Sequence, residues 1–360
     1  MRILAIESTC DETGASVVEG GRRVLSNVVA SQVELHARYR GVVPEIASRA
    51  HIENLLPVLR ESLSQAACGF ADLDAIAVAH RPGLIGSLLI GVTAAKSLAW
   101  SLARPLIGVD HVHAHLYSVM LEDRSEKRQA RSEKSDSSSP HPLIPSSFPA
   151  VGLVCSGGHT ALYHLKDWLD VRLIGTTIDD AVGEAYDKVA ALLGLGYPGG
   201  PILDRLAQGG DPKAIDFPRS LLGRDSLDFS FSGLKTAVLY NVHGVPSKDH
   251  KPPSTPPKLS EQRLADIAAS FQAACIDVIS KKIRRAIKKT GAKSVIIGGG
   301  VSANRGVRAA LANFSLPVFF PAMEYCTDNA AMSAGLAHLY LQAHQTSPLD
   351  LDAITYSQFK

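Results

Sequence analysis

Short apolar runs broken by polar, glycine-rich turns alternate along the chain with longer segments of helical period. Residues 3–7 read as a buried strand, Ser8-Thr9-Cys10-Asp11-Glu12-Thr13-Gly14 as a polar turn, and 15–18 as a second strand closed by a hairpin turn at Glu19-Gly20-Gly21. A helix is predicted over about 48–67, with an apolar stripe at Ile52, Leu55, Leu56, Leu59 and Leu63. Residues 74–79 form a strand, Pro82-Gly83-Leu84-Ile85-Gly86 opens a long apolar helix to about residue 102, and a strand over 105–109 leads into a helix over 111–121.

The order then repeats. A strand over 151–155, the turn Ser156-Gly157-Gly158-His159-Thr160 and a return strand over 161–165 echo the opening hairpin. A strand over 294–297, the loop Gly298-Gly299-Gly300-Val301-Ser302-Ala303-Asn304 and a helix echo 74–102. A strand over 316–320, with a loop at 322–329 before another helix, echoes the strand before His111. Strand–turn–strand followed by βα units, given twice, predicts an α/β fold: a duplicated, two-lobed fold of the actin, heat-shock ATPase and sugar-kinase type, with its active site in the interlobe cleft. The lobes are expected at 1–121, with about 325–360 packing back on it, and at 150–324.

Two stretches interrupt this plan. Five acids and five bases between Glu122 and Asp136 precede a Ser/Pro-rich run, so 122–149 is expected to be a disordered insertion. Residues 243–259 read as an exposed Pro-rich loop. The long amphipathic helix that follows, about 261–289, turns Leu264, Ile267, Phe271, Ala274, Val278 and Ile279 inward. It ends in Lys281, Lys282, Arg284, Arg285, Lys288 and Lys289. Those cations either complement the helix C-terminus or contact the phosphate backbone of a nucleic acid.

Composition narrows the class. A hydrophobic content of 46% over 360 residues supports full cores, and no run reaches the length of a membrane span. The start enters a strand pattern without a signal-peptide layout, and five scattered cysteines form no CxxC pair. A cytoplasmic location, with no membrane association, is expected. A net charge of +2 neither demands nor excludes nucleic acid.

The chemistry-bearing stretch is Asp110-His111-Val112-His113-Ala114-His115. His111 and His115, one helical turn apart, can bind one metal ion with a carboxylate as third ligand; His113 projects elsewhere. HExxH protease chemistry is excluded because Val112 stands where the glutamate would. Asp328 holds, in the second half of the repeat, the place of His111 in the first, which predicts a His₂Asp site closed across the cleft. The Ser156–Thr160 turn is a phosphate cradle in which glycine N–H groups can approach an anion closely. From Thr177 onward, Asp180, Glu184 and Asp187 are expected on one helical face, with Glu184 paired to Lys188.

Assembled in order, these motifs resemble the tRNA N6-adenosine threonylcarbamoyltransferase family, the bacterial TsaD proteins, nearly end to end. The resemblance covers Glu7 to Thr13, Gly41-Val42-Val43-Pro44-Glu45 with Ser48-Arg49-Ala50-His51, Pro82-Gly83-Leu84, the paired histidines and the Ser156 turn. It continues through Asp179 to Lys188, Tyr197 to Pro201, Phe229-Ser230-Phe231-Ser232-Gly233-Leu234-Lys235-Thr236, the Gly299 loop and Cys326-Thr327-Asp328-Asn329-Ala330-Ala331-Met332. It implies a divalent metal, Fe2+ or else Zn2+, held by His111, His115 and Asp328. It also implies that Ser156, Gly157, Gly158, His159, Thr160, Asp187, Gly200, Asp204 and Asn304 bind threonylcarbamoyl-AMP. The implied reaction is transfer of the threonylcarbamoyl group to N6 of the adenosine at position 37 of tRNAs reading codons that begin with A. The implied partners are a paralogous actin-like protein and a small ATPase. Glu12 or the phosphate of the intermediate is the candidate general base. An ATP-dependent kinase or ATPase of the same superfold is the alternative reading. Two positions depart from the family pattern: Arg81, where Gly usually precedes Pro-Gly, and Ala114, where Gly usually precedes the second metal histidine.

Overall fold

The computed structural model describes residues 1–39, 41–122, 147–245, 258–357 and 359. The expected insertion at 122–149 and Pro-rich loop at 243–259 fall largely outside the described residues. The chain divides into two compact units, Met1–Ser147 with Pro321–Lys360, and Phe148–Phe320.

The first unit is built on a five-stranded sheet of β1 (Arg2–Glu7), β2 (Glu12–Glu19), β3 (Arg23–Ser31), β4 (Ala75–Arg81) and β5 (Leu106–Asp110), in the order β3-β2-β1-β4-β5. β1 pairs antiparallel with β2 and parallel with β4, and β4 runs parallel to β5. From Ile3 to Glu7 every residue of β1 is fully buried, a run without alternation, as expected of a strand covered on both faces. After the short α1 (Val33–Ala37), the covering helices are α2 (Pro44–Gln65) on β2 and β3, α3 (Ile85–Ser101) on β4, and α10 (Ala330–Gln342) on β1, β2, β4 and β5. Leu4, Ile6, Val17, Leu55, Leu59, Ile76, Val78, Leu88 and Val92 lie in this core, each contributing roughly 1.5–3 kcal/mol by burial. Two residues of the expected stripe do not join it. Ile52 and Leu56 are 65% and 62% exposed, because α2 buries only the face carrying His51, Leu55, Val58, Leu59 and Leu63.

The second unit repeats the plan. β6 (Ala150–Cys155), β7 (Thr160–Leu165), β8 (Val171–Thr176), β9 (Ser294–Gly298) and β10 (Val318–Phe319) form a sheet in the order β8-β7-β6-β9-β10. The pairing is antiparallel, antiparallel, parallel, parallel, as in the first unit. Its helices are α5 (Val182–Leu192), α6 (Gly199–Ala207), α7 (Ser232–His243), α8 (Glu261–Thr290) and α9 (Arg305–Ala312). The sequence pattern had not marked β8. Leu173 and Ile174 are only half-buried there and the run is short.

Candidate functional site

In the first unit, β5 ends at Asp110 and α4 (His111–Tyr117) begins at once, giving way to a 3₁₀ turn at Ser118–Met120 rather than continuing to residue 121. Asp110 Oδ1 accepts from the backbone N–H groups of Val112 and His113 at 3.0 and 3.2 Å, which caps the helix. Its Oδ2 accepts from the Ser357 hydroxyl at 2.7 Å, and Arg81 Nε stands 3.9 Å away. The arginine that departs from the family pattern thus faces the cap of the histidine helix.

His111 and His115 lie with ring centroids 4.6 Å apart. Glu7, fully buried at the end of β1, accepts from His111 Nδ1 at 3.0 Å, and its other oxygen accepts from Thr9 N–H at 2.9 Å. A carboxylate can only accept, so Nδ1 carries a proton toward Glu7, and Nε2 is the nitrogen that faces Asp328. Asp328 Oδ1 lies 3.5 Å from His111 Nε2 and 3.0 Å from His115 Nε2, and one donor atom from each of the three residues falls within 4.8 Å of the others. His113 turns away, with Nδ1 3.1 Å from the Tyr340 hydroxyl.

The cluster is built to hold positive charge. Burial pulls His111 down, but the charges of Glu7 and Asp328 outweigh it and raise its pKa well above the ordinary value. Burial pushes Asp328 up, but His111 and His115 hold it well below the usual carboxylate range. Burial dominates at His115 and lowers it. Two imidazoles and one carboxylate form a donor set suited to zinc or ferrous iron. The pseudo-repeat had placed Asp328 in the opposite lobe. It lies instead in the same unit as both histidines, in keeping with the expected return of 325–360 to the first lobe, because the chain comes back to the first sheet after β10.

The β1–β2 turn beside this cluster is held from below. His51, buried on α2, bonds the Thr13 hydroxyl at 2.7 Å and the Cys10 carbonyl at 3.1 Å, and Leu84 N–H bonds the Thr9 carbonyl at 2.8 Å. Glu12 leaves this turn on β2. Burial, reinforced by Asp328 and Asp11, pushes it up to about 9, and its Oε1 accepts from the Ser31 hydroxyl at 3.4 Å.

In the second unit, Ser156 N–H donates to the His159 carbonyl at 2.7 Å and Ser156 Oγ accepts from His159 N–H at 3.1 Å, closing the β6–β7 turn. Gly157 and Gly158 have open space where a side chain would stand. Thr160 Oγ1 accepts from Val182 N–H at 2.8 Å, and a β-carbon at Gly183 would collide with the Ser156 carbonyl, so α5 starts against the turn. That helix starts at Val182, and Asp180 precedes it instead of sharing its face. Asp180 pairs with Lys188 at 2.6 Å and Lys235 at 3.1 Å, while Glu184 and Lys188 pair at 2.8 Å as predicted.

Asp187 accepts from Gly199 N–H at 2.7 Å and so fixes the start of α6, which carries Gly200 and Asp204. One oxygen of Asp204 lies 3.4 Å from Arg305 N–H, and the other is buried without a hydrogen-bond partner among the described residues. Asn304 caps α9 through Val307 N–H at 2.9 Å and donates to Gln272 at 2.8 Å. Gly299, at φ +86° and packed on the Cys155 carbonyl, lets the loop before Asn304 close over β6. The Ser156 turn, Asp187, Gly200, Asp204 and Asn304 are therefore linked station by station within one unit.

Glu7 and Gln272 carry no role that local sequence pattern reveals. Glu7 meets His111 across 104 residues of sequence, and Gln272 sits among the buried residues of α8, which also include Ser270, Ser280 and Lys282.

Two sheets of one topology, with paired histidines and an aspartate in one unit and an open glycine turn in the other, define a duplicated α/β protein of the actin-like type. The crystal structure of HypF from T. kodakarensis is similar in fold, with a TM-score of 0.59 at 17% identity, over 95% of this chain and 48% of that one, so the chain spans about half of that structure's length. The family model for tRNA N6-adenosine threonylcarbamoyltransferase matches residues 23–129 and 138–335. Proteins of that name from Moorella thermoacetica and Trichlorobacter lovleyi are 48% and 47% identical over 356 and 357 residues, each covering 98% of this chain and 95% of the relative. The chain belongs to the tRNA N6-adenosine threonylcarbamoyltransferase family.

Proposed function

We propose that this chain transfers a threonylcarbamoyl group from threonylcarbamoyl-AMP to N6 of adenosine 37 in tRNAs reading codons that begin with A. The observation that carries the reading is the convergence of His111, His115 and Asp328 in a chain of this family. These three residues would hold a divalent metal, Fe2+ or Zn2+, which when bound supplies Lewis-acid polarisation of an acyl oxygen. Glu7 would orient His111 by keeping the proton on Nδ1.

The open backbone at Gly157 and Gly158 suits the phosphate of the adenylate, and the unpartnered oxygen of Asp204 suits a ribose hydroxyl. In the reaction, N6 forms a bond to the carbamoyl carbon, the bond from that carbon to the phosphate oxygen breaks, and AMP leaves. The N6 proton passes to the departing phosphate or to Glu12, whose raised pKa makes the phosphate the readier first acceptor. Adenine N6 is a weak nucleophile, so positioning supplies much of the acceleration.

A paralogous partner of the same fold and a small ATPase complete the proposed system. Among the described residues, the exposed Ile52 and Leu56 of α2 and Ile85 and Leu89 of α3 offer an apolar surface for the paralogue. No helix among the described residues is long and apolar enough to cross a membrane.

The test is nucleoside mass spectrometry of unmodified tRNA incubated with the protein, threonylcarbamoyl-AMP and the partners. Threonylcarbamoyladenosine is expected with the wild type and not with Asp328→Ala. ATP hydrolysis or a phosphorylated small molecule in its place would move the assignment to a kinase-like member of the same superfold.

A further inference from the structure

The end of α8 carries more positive charge than the helix needs. Lys282 is fully buried, and its ammonium donates to the carbonyls of Leu221 and Ser226 at 2.9 and 2.7 Å. Arg285 donates to the carbonyls of Leu221, Gly223 and Ser226. These two cations are structural, since they hold the 221–226 loop on the helix. Lys281, Arg284, Lys288 and Lys289 remain exposed, and Lys293 joins them just past the left-handed Gly291 cap.

None of these five forms an ion pair among the described residues. Asp277, one turn before Lys281 and the natural i,i+4 partner, is bonded instead by Arg219 at 3.1 Å. Arg284 is fixed with its guanidinium 4.7 Å above the Phe314 ring. A helix C-terminus presents only about half a negative charge, which one or two cations complement, whereas like charges on successive turns repel.

We infer that the last turns of α8, with Lys293, are a contact surface for the phosphate backbone of the tRNA substrate; this rests on the proposed function. Lys281 to Lys289 spans about 12 Å of helix, long enough to meet successive phosphates. The four exposed lysines are flexible point charges, and only Arg284 is held against an aromatic ring. That composition suits a polyanion, whereas a protein partner is held by buried aromatic and aliphatic anchors.

The test is binding of an unmodified tRNA transcript to the full chain as a function of salt. The variant Lys281→Gln/Lys288→Gln/Lys289→Gln/Lys293→Gln removes only exposed charges that form no ion pair among the described residues. It is expected to keep the wild-type melting temperature and raise Kd about 10-fold or more at low salt. The slope of log K against log salt should fall by about 3, at roughly 0.7–0.9 per phosphate contact. A control with Arg60→Gln/Lys213→Gln/Lys258→Gln should change the slope by less than about 1.

A quadruple variant with wild-type affinity and slope overturns the surface, as does a wild type that binds no tRNA. If the wild type binds with the predicted slope, and the variant loses it, yet no threonylcarbamoyladenosine forms, the surface stands and the transferase assignment falls.

Discussion

Replacing Glu7 by glutamine probes the histidine–aspartate cluster without touching a proposed ligand. The two side chains have nearly the same volume, so the buried site keeps its shape, but a carboxamide cannot accept at both ends. Glu7 now accepts from His111 Nδ1 and from Thr9 N–H at 3.0 and 2.9 Å. If the glutamine oxygen stays with Thr9, its NH₂ faces Nδ1 and drives the His111 proton to Nε2, the nitrogen that faces Asp328. If it turns to His111, the NH₂ meets the Thr9 donor, and a buried unsatisfied donor costs about 1–3 kcal/mol. Loss of a partner behind a ligand lowers metal affinity about 10–100-fold, or about 1.4–2.8 kcal/mol at ~1.4 kcal/mol per decade. Competitive titration of metal-stripped protein with Zn2+ against a chromogenic chelator reads this directly. Glu7→Gln binding Zn2+ within twofold of wild type would refute the reasoning.

The same cluster sets a pH dependence. Stability from the raised His111 is fully present below its ordinary value of about 6.5 and is lost as pH rises through the folded value. Stability from the lowered Asp328 is present above about 3.9 and lost as pH falls through its folded value. Denaturant melts of chelator-treated protein should therefore weaken on the alkaline side, and less so in Asp328→Asn; equal slopes would contradict the assignment. Gly183→Ala, which drives a β-carbon onto the Ser156 carbonyl, should destabilise by about 1–3 kcal/mol. Gly158→Ala, with open space around it, should melt like wild type but bind threonylcarbamoyl-AMP more weakly; calorimetry distinguishes the two. Asp179 accepts from the Ser230 and Ser232 hydroxyls at 2.6 Å each and from Phe231 N–H at 2.9 Å. Asp179→Ala should therefore increase amide exchange over 229–233, and unchanged exchange would show that the loop holds itself.

Local signals carried well. The His111/His115 spacing predicts adjacent imidazoles from helix geometry alone, and the Gly299 loop was legible because a positive φ and close backbone packing demand glycine. The duplication was readable because the strand–turn–strand units are local and repeat in order. What depends on distant contacts was not legible. The return of 325–360 to the first lobe was legible, but that it sets Asp328 beside both histidines depends on where the chain crosses back after β10, and Glu7 reaches His111 only through the pairing of β1 with β4 and of β4 with β5. The α5 boundary slipped because Asp180, next to Asp179, read as a helical acid. Their carboxylates serve Ser230, Ser232, Lys188 and Lys235, which are brought in by the fold. Ile52 and Leu56 fit the helical period of α2, yet period cannot tell a core stripe from an exposed apolar face.

The central claim is that His111, His115 and Asp328 form the metal centre on which threonylcarbamoyl transfer depends. It is tested most directly by stripping the protein with a chelator, adding back Fe2+ or Zn2+ in steps, and measuring single-turnover formation of threonylcarbamoyladenosine at each step. Activity should be lost on stripping and return in proportion to metal, saturating at one ion per chain, with no recovery in Asp328→Asn. Full-rate transfer by the stripped protein, or recovery in Asp328→Asn equal to wild type, would contradict it.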